Sequence, residues 1–552
     1  MVTGSADQTI KIWNLSNLSE KIKNRRLNID LVKKIKKQAE EQTKEEWSIS
    51  EVLNFMEKNE MDYYMPLKIP PQLNLFISKN DEWITWTNEG YFNASEKGMD
   101  FIYFHLNQGA DKEAKAIPLK RLYDHFFRPD LVKLKLSGDE EAYQKAINGL
   151  DFKKALKNPP PTVTINTINT KNTNTIKDKI KISFNIKDEK GGIGLIRIYQ
   201  EGKLIQTIGE GEIKRQSANL DTFIEQSKTD KMNKKSEKIL MASLKPKGNV
   251  IKPKDMVGKT KIDSTQNREG EHSVEVELKA GSNNIAIEAF NKTNTVSSYR
   301  PSVNIQANIV KHKPRLYAIV AGVNNFNGKN VKALKYSEND AQAIKIATET
   351  KMKTIYADVN VSYLIGEDVT KDNILKAVQA IAKEARLEDT ILFYISTHGR
   401  AIDGEFYLIP YNSKNGNDWI DFGNTFKAIQ SIKSLNQIFV IDACESGKAD
   451  DIVSAVYDSR ASVLAKSSGV HMLLATTRGT SAFEHPNSNI KNGVFTYRIL
   501  QALESPATDI NGDKFISVKE LATKLKEPQN NTDYQYPVIR NVGRDVELER
   551  VE

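Results

Sequence analysis

Apart from ten methionines, a single cysteine, Cys444, is all the sulfur this 552-residue chain contains. One thiol cannot form an internal disulfide, so no cystine framework holds the fold and nothing points to an oxidising compartment. Long apolar runs are missing as well. No stretch approaches the ~18 uncharged apolar residues of a membrane span. The opening residues, MVTGSADQTIKIWNLSN, have no apolar centre of the secretion-signal kind. A cytoplasmic protein with no membrane partner is the expectation. Acids fall short of bases, leaving a formal net charge of +9. The excess is local, because residues 228–261 hold eleven lysines against Asp230, Glu237 and Asp255. A lysine-rich stretch poor in aromatics, with scattered Pro and Gly, reads as a solvated loop, so nucleic acid is not the expected partner.

What is present is organised in blocks. At ~100–200 residues per domain, 552 residues with 39% hydrophobic and 27% charged content make a globular chain of several units. Residues 1–16 carry a turn and an alternating strand, TIKIW, and resemble the closing strand of a WD40 repeat. A propeller needs several such repeats, and here there is part of one, so this segment is either a blade remnant or a strand that pairs elsewhere. Residues 17–157 form a connector module: a charged helix-like stretch, then an aromatic-rich α+β segment around Trp83, Trp86 and His105. Its aromatics are expected to be core rather than binding site. The prolines of KNPPPTVTINT mark a linker. Residues 158–308 then alternate in strand-like runs with hairpin signals at Glu201-Gly202 and AGSNN, the pattern of an immunoglobulin-like β-sandwich with 228–261 as an insertion.

From residue 309 to 552 the pattern changes to alternating strand and helix. RLYAIVAGV, DTILFYIS and QIFVIDA are continuous apolar strands, and ENDAQAIKIATETK and KDNILKAVQAIAKEAR are amphipathic helices between them. Such alternation implies a mostly parallel sheet covered on both faces, whose chemistry gathers at the carboxyl ends of its strands. His398 stands at one such end, in STHGR. Cys444 stands at another, in DACES, forty-six residues later. Each alone is ordinary, since a solitary cysteine is commonly an inert filler and a solitary histidine commonly structural. Together they suit a thiol nucleophile with a base, because only the thiolate attacks an acyl carbon.

Residues 315 to about 545 resemble the caspase-like cysteine peptidases, specifically the bacterial branch related to metacaspases and orthocaspases. The motifs that carry this are YAIVAGVNNF, ALKYSENDAQAI, FYISTHGR, VIDACESG, ATTRGTSAFE, GVFTYRILQAL and DINGDKFISVKEL. The resemblance implies a caspase-haemoglobinase-like fold, with His398 as general base and Cys444 as nucleophile. It also implies an oxyanion hole from the backbone N–H groups of Gly399 and Cys444. By the same resemblance Ser337, Asp340, Ser396 and Asp442 line a pocket for the residue before the cut bond. Two carboxylates there favour Arg or Lys over Asp. Ser337 departs from the pattern, which has Cys. Asp442 as a loop orienter and Asp340 as a helix first-turn acid are the competing readings.

DINGDKFISVKE places Asp509, Asn511, Asp513, Ser517 and Glu520 at ligand positions of a calcium loop, but Lys514 stands where glycine is required. The chemistry itself requires no cofactor. Calcium enters only as a possible activator or structural ion, and a structural turn is the competing reading. The function expected is a cysteine endopeptidase acting on protein or peptide substrates after a basic residue and regulated by a protein partner through its N-terminal modules. A bacterial stress or defence setting follows from the resemblance alone. Self-processing at Lys235, Arg460 or Lys466 would follow from that specificity. The alternative is a caspase-like scaffold whose dyad is unproductive.

Overall fold

The computed structural model describes residues 2–551 apart from 5–8, 16–17, 24, 66–70, 81, 96, 107–112, 114, 167–173, 210–268, 329–330, 403–404, 415–417, 446–460, 476–488, 528–536 and 542. The lysine-rich stretch 228–261 with Lys235, Arg460, and every residue of the ATTRGTSAFE motif after Ala475 lie outside the described residues.

The strand at Ile10–Ile12 pairs on one edge with Val2–Gly4 and on the other with Leu73–Ile77. Two more antiparallel strands, Trp83–Trp86 and Phe92–Ala94, complete a five-stranded sheet. The WD40-like segment is therefore hydrogen-bonded into the connector, and the ladder is shared across residue 16. An isolated strand leaves its backbone groups unpaired, and Leu73–Ile77 supplies the partner. The aromatic expectation holds in part: Tyr91 and Phe92 join Tyr123, Phe126, Phe127 and Tyr143 in one buried cluster with Trp86 and Phe104 packed against it, whereas Phe101 and Tyr103 are exposed.

The described residues between 162 and 307 form two sheets, antiparallel but for one short parallel edge pairing, facing one core. Thr162–Ile165, Lys179–Lys187 and Gly270–Glu277 make one sheet. Ile196–Gln200, Lys203–Ile208, Gly281–Ala289 and Ser302–Ala307 make the main part of the other. Strand alternation sends Ile182, Phe184 and Ile186 inward against Ile196, Ile198, Ile285 and Ile287. The turn between the second sheet's first two strands has Glu201 at φ 52° and Gly202 at φ 85°, the left-handed pair that a tight two-residue hairpin requires.

The C-terminal domain carries strands β1 (Leu316–Gly322), β2 (Val359–Ile365), β3 (Thr390–Ile402), β4 (Asn436–Glu445), β5 (His471–Leu474) and β6 (Val538–Asn541). Its helices are α1 (Ser337–Thr350), α2 (Lys371–Glu384), α3 (Phe422–Gln430), α4 (461–468), α5 (Val494–Glu504) and α6 (Val518–Lys526). The main path is β2-β1-β3-β4-β5-β6, parallel except for β6, and two short antiparallel strands, Glu405–Leu408 on β3 and Ile420–Asp421 beyond it, complete an eight-stranded mixed sheet. Odd-numbered β1 and β3 residues such as Ile319, Phe393 and Ile395 pack under α2, α3 and α4. Their even-numbered neighbours, including Val320, Leu392 and Tyr394, pack under α1, α5 and α6. Each fully buried large aliphatic contributes roughly 1.5–3 kcal/mol. Covering both faces in this way explains why these strands read as continuous apolar runs. Because β1 is followed by β2 on one side and β3 on the other, the chain reverses direction across the sheet between β1 and β3, opening a crevice at their carboxyl ends.

The three sets of elements are joined by buried contacts. Val463 of α4 is part of the connector's aromatic core, and the Lys466 ammonium lies 4.1 Å from the centre of the Tyr123 ring. Lys203, on the sandwich hairpin, is fully buried and donates to the carbonyls of Ile432 (2.6 Å) and Ser434 (2.5 Å), just past the end of α3. Carbonyls at a helix C-terminus are suited to a cation. Among the described residues no helix is long and apolar enough to cross a membrane.

Candidate active site

The ends of β3 and β4 lie side by side. Their parallel register pairs Ser396 with Asp442, Thr397 with Ala443, His398 with Cys444 and Gly399 with Glu445. Adjacent strands are ~4.8 Å apart, so the backbone brings the two sequence-predicted chemical residues together as direct neighbours. Gly399 is also in register with Leu408, on the antiparallel strand Glu405–Leu408 that folds back from β3. The end of β3 is anchored by Thr397, whose hydroxyl donates to the Ile409 carbonyl (2.6 Å), and by the Ile409 N–H, which donates to the His398 carbonyl (2.9 Å).

His398 is 8% exposed, and its ring lies 5.2 Å from that of Phe326. Its Nε2 is 2.8 Å from the carbonyl oxygen of Lys332. A carbonyl only accepts, so Nε2 carries the proton, and in the neutral ring the basic lone pair is then on Nδ1. Burial lowers the His398 pKa below the ordinary imidazole value, with the Arg400 charge adding to the effect and the Lys332 carbonyl opposing it. The ring is therefore neutral at pH 7 and able to accept a proton. Sequence reasoning singles out neither Lys332 nor Phe326; a backbone carbonyl leaves no residue signature.

Two predicted pocket acids meet on the α1/α5 side of the sheet. Asp340 sits in the first turn of α1 and Asp442 near the end of β4, at 3% and 4% exposure. Reciprocal bonds hold the start of α1 to the end of β1: the Asn324 N–H donates to Glu338 Oε1 (2.9 Å), and the Glu338 N–H donates to Asn324 Oδ1 (3.1 Å). Asp340 Oδ1 accepts from the Asn492 side chain and from the Gly493 N–H, each at 2.9 Å. Asp442 Oδ2 accepts from the Thr496 hydroxyl at 2.7 Å. That hydroxyl is also 2.7 Å from the Tyr394 hydroxyl; because its one proton goes to Asp442, the tyrosine is the donor there. The Ser396 side chain lies close enough to lower the Asp340 pKa somewhat against the larger effect of burial.

Among the described residues no cationic side chain partners either acid. Burial, and for Asp340 the facing Asp442 charge, push both carboxyls well above the ordinary carboxylate range, to about 8 for Asp340 and about 6 for Asp442. The values belong to the pair, which holds a proton near neutrality. Ser337, the fourth predicted pocket residue, is buried at the start of α1 with its carbonyl against Gly322. Sequence reasoning misses Asn492, Gly493, Thr496 and Tyr394 as the residues that hold the two acids. The one hint is the position of Asn492-Gly493 just before the apolar helix VFTYRIL.

The loop 509–520 is held by its own side chains in the manner of a structural turn. Asp509 Oδ1 and Oδ2 accept the N–H groups of Gly512, Asp513 and Lys514. Asn511 accepts the Asp513 N–H, and Asp513 accepts the Phe515 N–H. Glu520 receives the N–H groups of Ile510 and Asn511 on one oxygen and that of Ser517 on the other, completing a capping box on α6. Among the described residues no group of three His, Cys, Asp or Glu side chains is gathered to hold a metal. These oxygens serve the loop as turn and helix caps, the arrangement of a structural turn. Lys514 holds φ at 71°, a left-handed conformation that favours glycine. Lys514→Gly is expected to stabilise the C-terminal domain by about 0.5–1 kcal/mol, read as a higher urea midpoint. A lower midpoint would show that the lysine is not strained there.

The mixed sheet flanked by helices, with His398 and Cys444 in register at two central strand ends, has the architecture of a caspase-like fold in this part of the chain. Residues 315–542 match the family model of the caspase domain. Solved structures show low similarity. A Geobacter sulfurreducens protein is 14% identical, with TM-score 0.31, over 43% of this chain and 98% of its own. A structure described as pro-sf-caspase-1 is 15% identical, with TM-score 0.27, over 42% and 93%. Fibronectin(III)-like modules of Clostridium thermocellum CbhA are 13% identical, with TM-score 0.14, over 28% and 50%. No curated protein gives a significant match to the sequence.

Proposed function

We propose that the C-terminal domain is a cysteine endopeptidase that cuts after Arg or Lys. The register setting Cys444 beside a neutral His398, whose Nε2–H is tied to the Lys332 carbonyl, carries this reading. His398 Nδ1 takes the thiol proton, and the Cys444 thiolate attacks the scissile carbonyl carbon. The tetrahedral intermediate then collapses as His398 returns the proton to the leaving amine. Water, deprotonated by the same nitrogen, hydrolyses the thioester and releases the carboxylate. The backbone N–H groups of Gly399 and Cys444 are assigned to the oxyanion.

The preference for a basic residue is supported by the buried Asp340–Asp442 pair, which among the described residues has hydroxyl, amide and backbone donors but no cationic partner. A guanidinium or ammonium between two such carboxylates removes their repulsion. The N-terminal modules are proposed to regulate the site through α4, which follows the nucleophile segment and is packed into the connector core. Lys466, one proposed self-cleavage position, lies on that helix over Tyr123, so cutting there needs the helix to leave the connector. Fluorogenic peptides ending in Arg, Lys, Asp and Ala test the specificity. Arg and Lys substrates are expected to be cut at least about a hundredfold faster than Asp, in kcat/KM; faster cleavage after Asp overturns the pocket assignment.

A further inference from the structure

Gly493 is the residue immediately before α5, with φ −63° and ψ 149°. These are angles any residue adopts, so backbone freedom does not explain a glycine there. Its surroundings do. A Cβ at this position would stand 3.1 Å from Asp340 Oδ2 and 3.5 Å from Asp442 Oδ2. It would enter the space on which the two buried acids converge. The Gly493 N–H, meanwhile, donates to the other oxygen, Oδ1, so the residue orients the acid without placing a side chain against its Oδ2.

We infer that Gly493 is a specificity-determining residue: the missing side chain keeps open the space in which Asp340 and Asp442 receive the cationic head of the residue before the cut bond. This rests on the basic-residue pocket proposed above. The neighbours hold the acids in place. Asn492 and the Gly493 N–H donate to Asp340 Oδ1, and the Thr496 hydroxyl donates from α5 to Asp442 Oδ2. Tyr394 lies behind Thr496. A planar guanidinium bonds carboxylates through several N–H groups at once and needs more room than an ammonium. Narrowing the space by one methyl group therefore acts more strongly on Arg than on Lys.

The test is steady-state hydrolysis of matched Arg, Lys and Ala peptides by the full chain and by its Gly493→Ala variant, with thermal melting of both. KM for the Arg peptide is expected to rise roughly ten- to a hundredfold. The Lys peptide should be affected less, with kcat and the melting midpoint close to those of the parent. Alanine costs a helix entry a little stability relative to glycine, which the melting curve reads separately. A parallel measurement needs no variant: an N,N-dimethylarginine peptide brings the extra methyl groups on the ligand, and the parent protein is expected to reject it relative to Arg by a similar factor. If the parent cuts after Arg and neither added methyl raises KM, Gly493 does not set the space and the inference fails while the pocket stands. If the parent shows no preference for Arg or Lys over Ala, the pocket reading itself fails.

Discussion

Cys444→Ala is expected to abolish peptide hydrolysis, with a loss of kcat of up to about 10⁶. The argument is chemical. Thr397, at the end of β3, has its hydroxyl committed to the Ile409 carbonyl. The chain holds no second thiol to substitute for Cys444. The base without its nucleophile can still orient water, and residual rates near that floor would fit. His398→Ala should lose nearly as much, because the two act as one unit and their effects do not add. The double variant should be no worse than the more damaged single one. If Cys444→Ala leaves turnover and any self-cleavage unchanged, the protease reading fails and the scaffold reading replaces it. Unchanged circular dichroism separates this from misfolding.

The second large effect concerns pH. In the free protein the Asp340–Asp442 pair titrates above the ordinary carboxylate range, at about 6 and about 8. At pH 5 both carboxyls are protonated and neutral; by pH 9 both are ionised. A cationic side chain binds the ionised pair, so kcat/KM for Arg and Lys peptides is expected to climb as pH rises from 6 to 8, with proton release on binding. Folding follows the opposite sign. Because both folded values are raised above the unfolded carboxylate value, the pair's contribution to stability is full below about pH 4. It is lost as pH rises through 6 to 8, and a bound cation reverses that loss. His398 titrates in the other direction, below its ordinary value, so it limits turnover only at the acid end. Two further charges stand near these groups: Glu338 on α1 bonds Asn324 rather than the pair, and Arg400 on β3 acts on His398.

Asp442→Asn removes one of the two charges while keeping an acceptor for the Thr496 hydroxyl. Removing one partner of a buried charge pair costs roughly 2–5 kcal/mol, so KM for Arg peptides should rise about a hundredfold or more. The climb between pH 6 and 8 should flatten with it. A variant that keeps both its affinity for Arg and its pH profile would assign Asp442 to orienting the strand end instead. Stopped-flow or calorimetric measurement of proton release by the Cys444→Ala protein with an Arg peptide reads the coupling without turnover. No release between pH 6 and 8 would overturn it.

How much of this was legible in the chain differs by level. The alternation of apolar strands and amphipathic helices after residue 309 reflects burial of both faces of a sheet, a local and periodic constraint that composition expresses directly. The two strand ends carrying His398 and Cys444 were legible for the same reason: each apolar run stops where its polar residues begin. Asp340 and Asp442 stood out through resemblance to a family, and their positions then proved to converge. The loop 509–520 shows the limit of residue spacing. Asp509, Asn511, Asp513 and Glu520 have the intervals of a calcium loop, and their oxygens cap backbone N–H groups of their own turn, a role that sequence spacing does not reveal.

The sequence by itself determined the α/β grammar, the paired His and Cys and the absence of any disulfide, because each depends on residue type and local period. Only the tertiary structure decided the pairing of the N-terminal strand with Leu73–Ile77, the tautomer of His398 and the role of Gly493. Each of these depends on atoms brought together from distant parts of the chain: a backbone carbonyl at Lys332, a strand edge in need of a partner, and two carboxylates whose shared space exists only where a side chain is missing.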